Sequence, residues 1–129
     1  MIENIELVEN LSRLIKASSA KGFEVAEVNF SIGRVMSQLC EEGGEKVINE
    51  AAALLNSRGI RVFPDFLFNT YRVFKSIRHE GKLQEIKKNL HGNLQWGFLV
   101  TKCTKAPEGE TEEAERYWGR CLRGIEESH

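Results

Sequence analysis

"RGIRVFPDFLFNTYRVFKSIRHEGK" occupies residues Arg58–Lys82 and holds five aromatic residues, six Lys/Arg and the chain's single aspartate, Asp65. Apolar and cationic residues can share one segment if it is a helix that turns the two sets to opposite sides. Pro64 suits the first turn of such a helix, because its missing N–H would be unpaired there anyway. Asp65 beside it favours the positive end of the helix dipole. At about 100° per residue, Leu67, Tyr71, Phe74 and Ile77 fall on one stripe, and Asp65, Asn69, Arg72 and Ser76 on the opposite one. Phe68 and Lys75 sit on a flank. Phe66 and Phe68 do not fit cleanly inside and are candidates for contact with another helix or a second subunit.

Helical periodicity continues on both sides of this segment. "EKVINEAAALLNSRG" places Val47, Ile48, Ala51, Leu54 and Leu55 on one face, with Gly59 as the cap that turns the chain out. Upstream, Val25, Val28, Ile32, Val35 and Leu39 recur at steps of three and four. Gly33 lies inside that stripe, costing helix propensity but permitting a close neighbour. Ile5, Val8, Leu11 and Ile15 mark a first helix, and Gly22 its stop. Downstream, "EGKLQEIKKNLHGN" predicts a shorter helix ending near Gly92, with Leu83, Ile86 and Leu90 inward. "LQWGFLVTKC" is too short to tell helix from strand. Pro107 and Gly109 mark a turn. A last helix follows in "TEEAERYWGRCLRGI", capped by Thr111, with Glu112 and Glu113 in its first turn and Arg120 and Arg123 near its end. The expectation is one all-α domain over residues 1–129, a compact bundle of about six helices without repeats or linkers.

A chain of 129 residues with 41% hydrophobic and 29% charged residues has the composition of an ordinary globular protein. Its apolar runs fall far short of the ~18–20 residues of a membrane span. The acidic start, MIENIELVEN, lacks the basic region of a secretory signal. Cys40, Cys103 and Cys121 match no CxxC pattern and are expected to be reduced, mostly buried thiols of a cytoplasmic protein. The net charge of −1 conceals a segregation. Residues 51–105 carry ten Lys/Arg against three acids, a net +7, while the flanking segments are each −4. Such a middle segment can present a basic face, or its charges can pair across helices.

Two helices joined by a short Gly-containing turn are the raw form of a helix-turn-helix. Here they would be Glu45–Arg58 and Pro64–Arg78, the second entering the major groove. Asn69 could then bond adenine and Arg72 guanine. Arg61, Lys75, Arg78, Lys82, Lys87 and Lys88 would complete the DNA contact surface by neutralising phosphate. The spacing is long for the tightest motif, and Asp65 would repel phosphate at the helix tip. Two packed helices with a solvated face fit the same pattern. The other expected role is a protein–protein surface or homodimer, built on Phe66, Phe68 and the acidic final helix.

Catalytic signatures are weak. Pro64-Asp65 with Glu85-Ile86-Lys87 matches the letters of a PD…ExK nuclease, but that chemistry needs its acids on adjacent strands around a metal, and both halves fall on predicted helices. His79, His91 and His129 have no ligand spacing. There is no phosphate-cradling GxxxxGK[ST] or GxGxxG loop and no GxSxG elbow. No enzyme activity, metal, cofactor or small-molecule substrate is therefore expected.

Taken together, Ile32-Gly33-Arg34, Val47-Ile48, Leu54, Phe63, Phe68, Tyr71-Arg72, Phe74, Leu94 and Trp96 resemble the N-terminal helical domain of the YhcG-like family. The aromatic pair Tyr117-Trp118 extends the resemblance, which covers roughly residues 25–125. It implies a helical, DNA-binding domain of the kind that precedes a PD-(D/E)xK nuclease domain. The segment after Trp96 lacks the family's Ser-His, and no nuclease half occurs in the sequence, so nuclease activity is not implied; a separate nuclease, or another protein, would instead be the partner of the expected protein–protein surface. Pro64-Asp65-Phe66-Leu67 replaces the family's RxxNL-type start of the recognition helix.

Overall fold

The computed structural model describes residues 2–127, with side chains described through residue 121. Seven helices follow one another: α1 Ile5–Ser19, α2 Ala26–Gly43, α3 Val47–Ser57, α4 Pro64–Ile77, α5 Glu80–Asn89, α6 Trp96–Cys103 and α7 Glu112–Glu127. The all-α expectation holds. The stretch left open between helix and strand is α6, which brings the count to seven. Among the described residues the only extended pairing is an isolated bridge between Val25 and Gln95.

The helix ends follow local chemistry. The chain leaves α1 through Gly22 and Phe23, both left-handed at φ 68° and 61°, and the Phe23 N–H donates to the Ser18 carbonyl at 2.8 Å. Gly59 has φ 82°, and Ile60 N–H returns to the Leu55 carbonyl at 2.9 Å, closing α3 as a glycine cap does. Pro64 opens α4 behind an extended Phe63. The Thr111 hydroxyl accepts from the Ala114 N–H at 3.1 Å and so caps α7.

α2 and α4 form the central pair, and two apolar clusters lie along it. Leu11 and Ile15 of α1, Ile32, Met36 and Leu39 of α2, Leu55 of α3 and Leu67 of α4 build the first. Phe30 of α2, Val73 and Ile77 of α4, Leu83 and Ile86 of α5, Leu99 of α6 and Trp118 of α7 build the second. Each buried aliphatic side chain contributes ~1.5–3 kcal/mol relative to exposure.

The central position of α4 corrects one part of the angular reading. Leu67, Tyr71 and Ile77 are buried as expected while Phe74 of the same stripe is half-buried, and Thr70, Val73 and Ser76 are buried as well. Ser76 was placed on the outer stripe and is 6% exposed. A surface helix buries one stripe; α4 packs against α2, α3, α5 and α6, so its exposed residues are confined to Pro64, Asp65 and Phe68 near the start, with Asn69, Arg72 and Lys75 half-buried along the same strip.

Candidate functional site

The residues expected to meet DNA fall into three groups. Arg72 and Lys75 on the C-terminal half of α4 and Arg78, the residue that caps its end, lie beneath the 104–110 segment. The Arg72 guanidinium sits 5.6 Å from the Phe68 ring centroid and donates to the Thr104 carbonyl at 2.8 Å. Lys75 pairs with Glu108 at 3.0 Å, and its ammonium lies 5.2 Å from the Tyr71 ring centroid. That hydrogen bond holds the Glu108 carboxyl below the ordinary carboxylate range and the Lys75 ammonium above its own. Gly109 donates its N–H to the Lys75 carbonyl at 2.8 Å and lies so close to Arg78 that an added Cβ would be 2.6 Å from Arg78 Cγ. His79, next along, pairs with Glu110.

Lys82 and Lys87 form the second group, on α5. Lys82 bridges Glu115 of α7 at 3.0 Å and Glu85 at 3.6 Å, while Lys87 bonds Glu27 of α2 at 2.6 Å. The third group is Arg61, Asn69 and Lys88, which are apart from one another: Arg61 and Lys88 are exposed and Asn69 is half-buried. Three of the ten Lys/Arg of the basic middle, Lys75, Lys82 and Lys87, are thus paired with glutamates from its acidic flanks. A phosphate approaching Lys75, Lys82 or Lys87 must replace an existing carboxylate partner. Nearer the tip of α4, Pro64, Asp65 and Phe68 line a shallow depression with Glu45 and Asn49, an acidic and apolar surface.

Asp65 and Glu85, the acids of the letter-match to a nuclease, lie on α4 and α5, and Glu85 is engaged by Lys82. Among the described residues no three His, Cys, Asp or Glu side chains are grouped to hold a metal. No helix among the described residues is long and apolar enough to cross a membrane.

A different surface stands out between the end of α1 and the link from α3 to α4. Phe63 is 72% exposed, the most exposed large apolar side chain among the described residues. With Phe23, Val62, Phe66, Ser19 and Arg61 it lines an apolar groove of about 350 Å³. Phe66 is only half-buried here, as its ambiguous angular position suggested. Its ring meets Phe23 edge-on at 5.0 Å and Trp96 at 6.4 Å. Phe68, 38% exposed, lies instead on the outer strip under Arg72.

The groove is held in place by side-chain hydrogen bonds to the backbone of both walls. Asn29 is buried; its amide donates to the Phe23 carbonyl at 2.9 Å, and it accepts from the buried Ser18 hydroxyl at 2.5 Å. This pins a non-glycine residue in left-handed backbone, which costs of order 1 kcal/mol or more and persists only where the surroundings over-determine it. On the other wall, the Asn56 amide donates to the Ala52 and Val62 carbonyls at 2.6 and 2.8 Å, fixing the link.

Beside the groove, Ser12, Arg13 and Lys16 of α1 face Arg58 and Ile60 across a second depression of about 410 Å³, with Glu9 at its end. Sequence reasoning named Arg61 and Phe66 but missed Phe23, Phe63, Arg13, Lys16 and Arg58. One local signal existed. Phe63 directly precedes Pro64, and a residue before proline is driven to extended backbone, so its ring could not join the α4 stripe.

The chain matches no family model, no curated protein and no solved structure.

Proposed function

We propose that this chain is a helical protein-binding module that docks its partner at the Phe23–Phe63–Phe66 groove. The observation that carries the reading is Phe63, exposed at the rim of an apolar concavity whose walls are fixed by hydrogen bonds to the Phe23 and Val62 carbonyls. Large apolar side chains are enriched at interaction surfaces, and aromatic anchors supply most of their binding energy. The groove lies on fixed backbone, so a partner meets a preformed surface and little ordering cost opposes binding.

The test is a photo-crosslinking amino acid at position 63, activated in cells that express the chain. A discrete protein adduct, lost when Phe66→Asp is added, is the expected outcome. Exclusive crosslinking to nucleic acid, or no adduct, rejects the reading.

DNA binding is the second reading, and one observation favours it: α3 and α4 form the expected helical pair, with Arg58 and Arg61 exposed on the link between them. Against it stand the glutamate partners of Lys75, Lys82 and Lys87. An electrophoretic shift at low salt separates the two. DNA retardation abolished by Arg58→Glu with Arg61→Glu supports this second reading, and absence of retardation removes it.

A further inference from the structure

We infer that the groove and the depression beside it form one continuous docking track for an acidic segment carrying an apolar anchor residue. This rests on the protein-binding reading and assigns the partner's chemistry. One wall is a single face of α1, where Glu9, Ser12, Arg13, Lys16 and Ser19 recur at steps of one and three. The other wall is the extended link, where Arg58 and Ile60 line the depression and Arg61, Val62 and Phe63 the groove. The two hollows abut along both walls, because Lys16 and Ser19 are one helical turn apart and Ile60 adjoins Arg61.

Charge complementarity identifies the occupant. Arg13, Lys16, Arg58 and Arg61 are all exposed along the track, with Glu9 the acid among its lining residues. Lys16, Arg58 and Arg61 make no ion pair among the described residues, in contrast to the paired lysines of α4 and α5. Four cations stand over one acid in a chain whose overall charge is −1, so the track is a local inversion of the molecule's charge. Its apolar end accepts a side chain, and its cationic end accepts carboxylates.

A polynucleotide has the right charge but the wrong anchor. A base entering the groove would bury its polar edge against Phe23, Val62 and Phe66, with only the Ser19 hydroxyl and Arg61 to meet it. A leucine or phenylalanine side chain brings no such polar edge.

The test uses the whole chain and fluorescein-labelled twelve-residue peptides, read by anisotropy. The first peptide carries a Leu–Phe pair four residues apart among Asp and Glu. The second has Lys and Arg in place of the acids, the third has Ala at both anchors, and a dodecamer of deoxythymidine serves as the polyanion control. The acidic anchored peptide should bind at least ~10-fold tighter than the other three. Phe63→Ser should weaken it at least ~10-fold, Arg58→Glu with Arg61→Glu likewise, and raising salt from about 50 to about 200 mM should weaken it further. These side chains are exposed, so the variants should melt with the parent protein, which circular dichroism verifies. Tighter binding of the basic peptide through Phe63 overturns the charge assignment and leaves the protein-binding reading standing. Binding of the oligonucleotide alone, or binding of no peptide that depends on Phe63, overturns both.

Discussion

A Cβ built on Gly33 would lie 2.1 Å from the carbonyl oxygen of Thr70. The obstacle is α4 backbone, which cannot rotate away as a flexible side chain can. α2 and α4 are therefore in contact at a distance only glycine allows, at the middle of the pair that carries both apolar clusters. Gly33→Ala should force the helices apart and cost about 1–3 kcal/mol or more. Gly81→Ala is the control. Its Cβ would meet nothing within 4 Å, and it should stabilise α5 by up to about 1 kcal/mol. Urea denaturation followed by circular dichroism reads both. An unchanged midpoint for Gly33→Ala would contradict the close crossing.

Acid should weaken the contact between α5 and α2. Glu27 lies below the ordinary carboxylate range, first because Lys87 hydrogen-bonds it and despite partial burial. A carboxyl depressed in the folded state stabilises above its unfolded value, about pH 4.3, and that contribution fades as pH falls through the folded value. Lys87→Ala should therefore cost up to about 1 kcal/mol at pH 7, and the difference from the parent should shrink towards zero near pH 3. Thermal melts of both proteins across this range give the answer; a gap that widens in acid would be wrong for this pair.

The fold was legible where periodicity was long and punctuation sharp. The Ile32–Val35–Leu39 stripe, the Gly59 cap, Pro64 at the start of α4 and Thr111 before α7 each act within a few residues, so the sequence contains the whole cause. Gly33 also declared a close neighbour, though not that the neighbour was Thr70. α6 was undecided because eight residues with four apolar ones satisfy either period. The candidate site was less legible for a physical reason. Charge along the chain says nothing about pairing in space, and Lys75–Glu108, Lys82–Glu115 and Lys87–Glu27 join residues 33 to 60 positions apart. Likewise Arg13 and Arg58 line one depression only because α1 packs beside the α3–α4 link.

Burial pushes the Cys103 thiol up to about 12, well beyond the range of a free cysteine. The thiolate is the reactive form, and the side chain is 4% exposed, so both population and access oppose reaction. In the folded protein at about pH 8, iodoacetamide should modify Cys103 at least ~100-fold more slowly than a free thiol. In ~6 M guanidinium chloride all three cysteines should react at similar rates. Peptide mass spectrometry assigns the sites, and rapid native labelling of Cys103 would mean that the α4–α6 contact opens readily.

Trp118 tests whether α7 belongs to the core or merely lies on it. Its side chain is 1% exposed, packed in the second cluster with Phe30, Val73 and Leu99 and meeting Tyr117 edge-on at 5.5 Å. Around it, Lys82–Glu115 ties α7 to α5 at 3.0 Å, and the Tyr117 hydroxyl donates to the Lys102 carbonyl of α6. The exposed ion pair contributes at most about 1 kcal/mol, whereas truncating a buried tryptophan costs about 3–5 kcal/mol. Trp118→Ala should therefore far exceed Glu115→Ala in urea denaturation and should flatten the near-ultraviolet circular dichroism. Phe23 packs against the first cluster, not the second, and Phe63 lines the groove beside it, so acidic-peptide binding by folded Trp118→Ala should persist. A loss below about 1 kcal/mol would show that hydrophobic packing does not hold α7, leaving its ion pair and hydrogen bond to do so.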